Sequence, residues 1–196
     1  MNAPQIAICI GHSRLGYDGK RDGGAVSCAP ELQEWDYNRH LATRIAERLH
    51  DTYGITVEIV CSYEGTGYRG AMRWLAARLK SLGVKLAVEL HFNSAESPQA
   101  RGHEWLYWLG SNSGRGLAAA LHNHFSLAMT GIPARGVKAV GHGQRGAEFL
   151  RLTHCPAVIC EPFFGSNSAD WDYARTNPGV LADAMAAALA QAISRL

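Results

Sequence analysis

Apolar and polar positions along the chain alternate between short apolar runs and longer stretches of helical period. Residues 5–10, 56–61, 84–90 and 104–109 are short runs rich in apolar and β-branched residues, and each predicts a strand. Between them, apolar residues recur every three to four positions. Over 31–52, Leu32, Trp35, Leu41, Ile45 and Leu49 mark a helix that Gly54 ends. Over 68–82, Met72, Leu75, Ala76 and Leu79 mark a second, stopped by Gly83. Leu117, Leu121, Phe125 and Ala128 mark a third over 114–129, and the Ala-rich stretch 180–196 predicts a closing helix. Residues 136–139 and 149–152 predict short strands, and 157–160 a last inner strand. Residues 11–30 form a Gly-rich loop.

This order predicts an α/β sandwich: one domain over residues 1–196, with a mostly parallel twisted sheet and helices on both faces. In such sheets, ligands bind beyond the carboxyl ends of the strands. No internal repeat, low-complexity segment or linker interrupts the pattern.

Composition narrows the picture little. The 196 residues, 47% hydrophobic and 18% charged, suit a globular protein with a full core. A net charge of +2 gives no reason to expect nucleic acid as a partner. No apolar run approaches the ~18 residues of a membrane span, so no membrane insertion is expected. Met1-Asn2-Ala3-Pro4-Gln5 lacks the basic and apolar regions of an export signal. The expectation is a monomer made in the cytoplasm and delivered by another agent to any substrate outside it. Five cysteines without a Cys-x-x-Cys pair argue against a structural zinc site of the cysteine type. Cys9 and Cys160 lie inside apolar runs and read as small core residues.

The candidate chemistry lies where the apolar runs end. His12 follows the first run through Gly11, His91 follows the third directly, and Glu161 ends the last. A charged or metal-binding side chain at the end of a buried strand is costly to place without a use. Glu34 lies near the start of the first long helix, where the dipole favours carboxylates in any case, and Glu31 competes with it. Two histidines and one glutamate form a known catalytic zinc set with an open fourth position. Such a site needs a further carboxylate, not a ligand, to take and return a proton, and Glu161 is the candidate. A carboxyl group between an apolar strand and Pro162-Phe163-Phe164 is desolvated, which raises its pKa. Asn93, Glu104, Arg145 and His142 are candidates for orienting ligands or contacting substrate. Arg69 and Trp105 are candidates for contacts to glycan or peptide, and His103 and His154 for the site rim.

Taken in order, these segments resemble the zinc-dependent N-acetylmuramoyl-L-alanine amidases of bacterial cell-wall hydrolases and phage endolysins. The resemblance rests on Gly11-His12, Asp22-Gly23-Gly24-Ala25, Glu34 followed by Asn38, and Leu90-His91-Phe92-Asn93. It continues through Gly102-His103-Glu104, Arg135-Gly136-Val137-Lys138, Pro156-Ala157-Val158-Ile159-Cys160-Glu161 and Gly165-Ser166-Asn167. It implies one Zn2+ held by His12, Glu34 and His91, with Glu161 as the catalytic carboxylate and Glu34 preferred over Glu31. The implied partner is peptidoglycan, cut between N-acetylmuramic acid and L-alanine; a single small domain without an export signal fits an endolysin acting on the cell wall after release. Glu161-Pro162-Phe163-Phe164, Ser62-Tyr63-Glu64-Gly65-Thr66-Gly67 and Ala77-Arg78 depart from the family's usual wording at the site rim and in packing. Two other functions remain open: a zinc peptidase cutting the stem peptide, and a peptidoglycan-binding module without activity. An intact Glu161 argues against the second.

Overall fold

A computed structural model describes residues 3–16 and 19–196. The elements run β1 (Ile6–Ile10), α1 (Glu34–Tyr53), β2 (Val57–Val60), α2 (Gly67–Leu82), β3 (Leu86–Leu90), β4 (His103–Trp108), α3 (Asn112–Ala128), β5 (Ala134–Val140), α4 (Ala147–Leu152), β6 (Ala157–Glu161), α5 (Ser168–Thr176) and α6 (Pro178–Ile193). The strands form one six-stranded sheet in the order β2-β1-β3-β6-β4-β5. Every neighbouring pair is parallel except β4 and β6.

Alternation along the strands divides the core. Ile6, Ile8 and Ile10 of β1, and Leu86, Val88 and Leu90 of β3, face α1, α3 and α6. Ala7, Cys9, Ala87 and Ile159 face the other way, against Met72, Leu75 and Leu79 of α2 and Phe149 and Leu150 of α4. Helices therefore cover both faces. Strand β1 is apolar on both sides, and β3 is too except at Glu89, because both sides are buried, as parallel strands require. Among the described residues, no helix is long and apolar enough to cross a membrane.

Two segments differ from the sequence expectation. Residues 149–152, expected as a strand, belong to helix α4. Gly146, at a φ of 80°, turns the chain, and Ala147, Phe149 and Leu150 then pack as one buried helical face. The run Phe149-Leu150-Arg151-Leu152 is too short for its period to separate strand from helix. Helix α5, which the hydrophobic pattern does not mark, is capped by Asn167, whose side chain accepts a hydrogen bond from the Asp170 amide.

Trp105 is fully buried against Phe125, with ring centroids 5.2 Å apart, and so is unavailable to glycan or peptide. His103 is not a rim residue either. It is fully buried and accepts a hydrogen bond from the Trp105 indole. Both side chains point to the α3 face of β4, while Glu104 between them points to the opposite face.

Candidate active site

The strand register assembles the site. Ile10 lies opposite Leu90, and Leu90 opposite Cys160, so the carboxyl ends of β1, β3 and β6 finish on one row. The next residues along are Gly11, His91 and Glu161, and Glu161 lies opposite Glu104 of β4. The amide of Gly11 donates to the Leu90 carbonyl and that of His91 to the Cys160 carbonyl, extending the ladder by one position. Gly11 has to be glycine because a Cβ there would run into the His91 ring. His12 then takes a left-handed φ of 61°, unusual for a residue with a side chain, and this turn directs its ring toward His91. The two rings meet edge to face with centroids 5.1 Å apart.

Glu34 enters from a different element, as the first residue of α1. It is 3% exposed and saturated with donors. Oε2 accepts from the Ala25 amide at 3.0 Å, and Oε1 accepts from the Phe92 amide at 3.1 Å. The Nδ1 of His91 lies 2.8 Å from Oε1, and the Nε2 of His12 lies 3.4 Å from Oε2. One donor atom from each of His12, Glu34 and His91 falls within 4.8 Å of the others, a possible metal site. At ~2.0–2.2 Å from a tetrahedral zinc, ligand atoms sit roughly 3.4 Å apart, so a set spread over as much as 4.8 Å would draw inward to hold such an ion.

The outer nitrogens of the two histidines each face a carboxylate. The Nδ1 of His12 is 3.3 Å from Oδ1 of Asp22, and the Nε2 of His91 is 3.3 Å from Oε2 of Glu89. Asp22 sits on the Gly-rich loop, its side chain 42% exposed. Arg21 holds this loop by donating to the carbonyls of Ser13 and Cys61 and stacking on Trp35, whose indole donates to Ser13. Gly24, at a φ of 77°, brings the loop so close that a Cβ would strike Glu34 and His12.

Burial raises both carboxylates, and nearby donors and charges offset it at Glu34 but not at Glu161. Burial pushes the Glu34 carboxyl up, but the hydrogen bond and charge of His91, with help from His12 and the Ala25 amide, bring it below its usual range. Burial pushes His91 down, and the carboxylates of Glu34 and Glu89 more than offset this, so its pKa lies well above the usual imidazole value. Glu161 is raised to about 8 because burial outweighs the opposing charge of His91, with Glu34 and Glu104 pushing it further up and Arg145 opposing last. Its Oε2 is shielded and has no hydrogen-bond partner among the described residues.

These groups line a cleft of about 830 Å³ that includes His12, Glu34, His91, Asn93, Glu104, Arg145 and Glu161. The structure thus brings together seven of the sequence-derived candidates. Asn93 donates to Oε1 of Glu104 at 2.9 Å, while Arg135 and Lys138 donate to its Oε2 at 2.6 and 2.5 Å. Glu104 is thereby committed to three side-chain donors across the cleft wall. His142 lies apart from the cleft, exposed and edge-on to Trp108 at 4.8 Å. Arg69 is exposed and is not among the cleft-lining residues. The sequence reading passed over Glu89 and its partner Tyr63, whose hydroxyl donates to Oε1 of Glu89 at 3.0 Å. The available signal was a lone charge inside the apolar run Leu86-Ala87-Val88-Glu89-Leu90.

Similarity to known proteins agrees with this arrangement. The solved catalytic domain of CwlV, an N-acetylmuramoyl-L-alanine amidase from Bacillus (Paenibacillus) polymyxa var. colistinus, shares the fold with a TM-score of 0.75 at 20% identity, over 97% of this chain and 98% of that one. The N-acetylmuramoyl-L-alanine amidase from Clostridium difficile 630 shares it with a TM-score of 0.76 at 19% identity, over 99% and 97%. The catalytic domain of the CD27L endolysin targeting Clostridia difficile has a TM-score of 0.76 at 25% identity, over 95% and 96%. No curated protein sequence matches the chain. The family profile described as N-acetylmuramoyl-L-alanine amidase matches residues 6–195. The chain therefore belongs to the N-acetylmuramoyl-L-alanine amidase family, enzymes that hydrolyse an amide bond of peptidoglycan.

Proposed function

We propose that the protein is a zinc-dependent amidase that cuts between N-acetylmuramic acid and L-alanine, with His12, Glu34 and His91 as metal ligands and Glu161 as general base. The observation that carries this reading is the pairing of a convergent His-Glu-His donor set with an unpartnered carboxylate one strand away in the same cleft. Zinc bound there would polarise the scissile carbonyl and bring the pKa of water near ~7. Glu161 takes a proton from the attacking water as the new carbon–oxygen bond forms. It then delivers that proton to the alanine nitrogen as the carbon–nitrogen bond breaks, leaving a carboxylate on the muramyl lactyl group and a free amine on the peptide. Burial of Glu161 in the metal-free protein raises its carboxyl and so strengthens it as a proton acceptor, which suits a general base. Arg145, on the cleft wall, presents a cation toward an anionic stem peptide. The likeness to the CD27L catalytic domain supports an endolysin role on the cell wall.

Mass spectrometry of digested peptidoglycan tests the reading. The expected products are free peptides beginning with L-alanine and intact glycan strands; a chelator abolishes their release and added Zn2+ restores it. Cleavage within the stem peptide would replace the amidase with a peptidase. Binding without product would reduce the protein to a wall-binding module.

A further inference from the structure

Glu89 is a carboxylate on an inner strand of the sheet, 5% exposed. It points to the α2 and α4 face, where its neighbour along the strand is Ala87 and the surrounding positions are filled by apolar side chains. Any aliphatic residue would pack there at no electrostatic cost, whereas a buried carboxylate costs several kcal/mol unless it is paired and hydrogen-bonded. Among the described residues, two side-chain partners account for it. The Tyr63 hydroxyl donates to Oε1 at 3.0 Å, and the Nε2 of His91 lies 3.3 Å from Oε2. Tyr63 is 4% exposed, and its amide donates to the Ser13 carbonyl, next in sequence to His12. The pair therefore ties the ends of β1, β2 and β3 together directly beneath the candidate metal site.

Resting on the ligand assignment above, we propose that Glu89, held by Tyr63, is a positioning residue for His91. It accepts the Nε2 proton of the ring, which selects the tautomer with Nδ1 bare and aims Nδ1 at the point shared with Glu34 and His12. A histidine that ligates metal through one nitrogen needs a partner for the other, and a carboxylate partner both orients the ring and strengthens it as a donor. The two histidines are served unequally. Asp22 approaches His12 from an exposed loop, whereas Glu89 approaches His91 from inside the sheet. His91 is thus the ligand fixed by the fold, and His12 the one fixed by the loop.

The test measures Zn2+ affinity of the full chain by competition with a chromophoric chelator, alongside the nitrogen-15 spectrum of the His91 ring. Glu89→Gln keeps the shape and an acceptor but removes the charge, and is expected to weaken Zn2+ binding by about tenfold; Glu89→Leu approaches about 100-fold. Tyr63→Phe is expected to weaken it a few-fold. In the zinc-loaded parent the ring carries its proton on Nε2, and in Glu89→Leu that proton signal loses its hydrogen-bonded shift. Circular dichroism identifies any variant that fails to fold; Glu89→Gln and Tyr63→Phe then decide the matter. If the parent binds Zn2+ and both variants bind it within twofold, the positioning role is overturned while the ligand assignment stands. If the parent itself binds no Zn2+, the ligand assignment falls and this inference with it.

Discussion

Glu34 and Glu161 are carboxylates of one cleft placed in opposite electrostatic settings. Glu34 begins a helix and meets two backbone amides and two imidazoles, so its charge is wanted by everything around it. Glu161 ends a buried strand, lies opposite Glu104, and has one oxygen without a partner among the described residues, so its charge is resisted. The first is held below the usual carboxylate range and the second is lifted to about 8. On the proposed reading, the same functional group serves as a fixed anion that holds a cation or as a proton carrier, according to the donors each position supplies.

The sharpest way to break this division is Glu161→Gln. Loss of a general base costs about 10²–10⁴-fold in rate, so hydrolysis of purified peptidoglycan is expected to fall by that factor. Residual activity within tenfold of the parent would remove Glu161 from the chemistry.

A second effect is on stability, and it concerns the metal-free protein. The Glu161 carboxyl ionises near 4.5 when unfolded and near 8 when folded. Between these values the folded state binds a proton that the unfolded state has released, so stability falls as pH rises through that window and levels off above it. At about 1.4 kcal/mol per pH unit, the loss at pH 7 is on the order of 3 kcal/mol. Denaturant titrations across pH 5–8 should show this slope in the parent and a shallower one in Glu161→Gln, where the raised His91 leaves a remaining fall above about pH 6.5.

Arg145 sharpens the comparison on a smaller scale. Its charge opposes the rise in the Glu161 pKa, so Arg145→Ala should move the acid limb of the pH–rate profile upward and lower kcat/KM by about tenfold, as for loss of one charged contact. His142→Ala, away from the cleft, should change kcat/KM by less than about twofold, within the range of a surface substitution.

How much of this was legible in the sequence depends on how each residue is presented. His12, His91 and Glu161 stand out because each interrupts the chain just where an apolar run stops, and the parallel register of β1, β3 and β6 turns those three endings into neighbours. Glu34 sits at a helix start, where a carboxylate is ordinary; only its spacing to Asn38 within the family resemblance distinguishes it from Glu31. Glu89 is easily passed over because one charge in an apolar run leaves the strand pattern intact, although that lone charge is itself the signal. Trp105 and His103 were misplaced by treating β4 as a single surface: alternate residues of a strand face opposite ways, and Glu104 alone of the three reaches the cleft. Helix α4 was missed because six residues hold less than two turns of pattern.

The most direct test of the division between the two carboxylates is the zinc content of Glu34→Gln and Glu161→Gln, each loaded with Zn2+, desalted and measured by elemental analysis. The account predicts about one ion per chain in Glu161→Gln, as in a three-ligand site left intact, and substoichiometric zinc in Glu34→Gln. A Glu161→Gln protein that loses its zinc, or a Glu34→Gln protein that keeps a full complement, would contradict it.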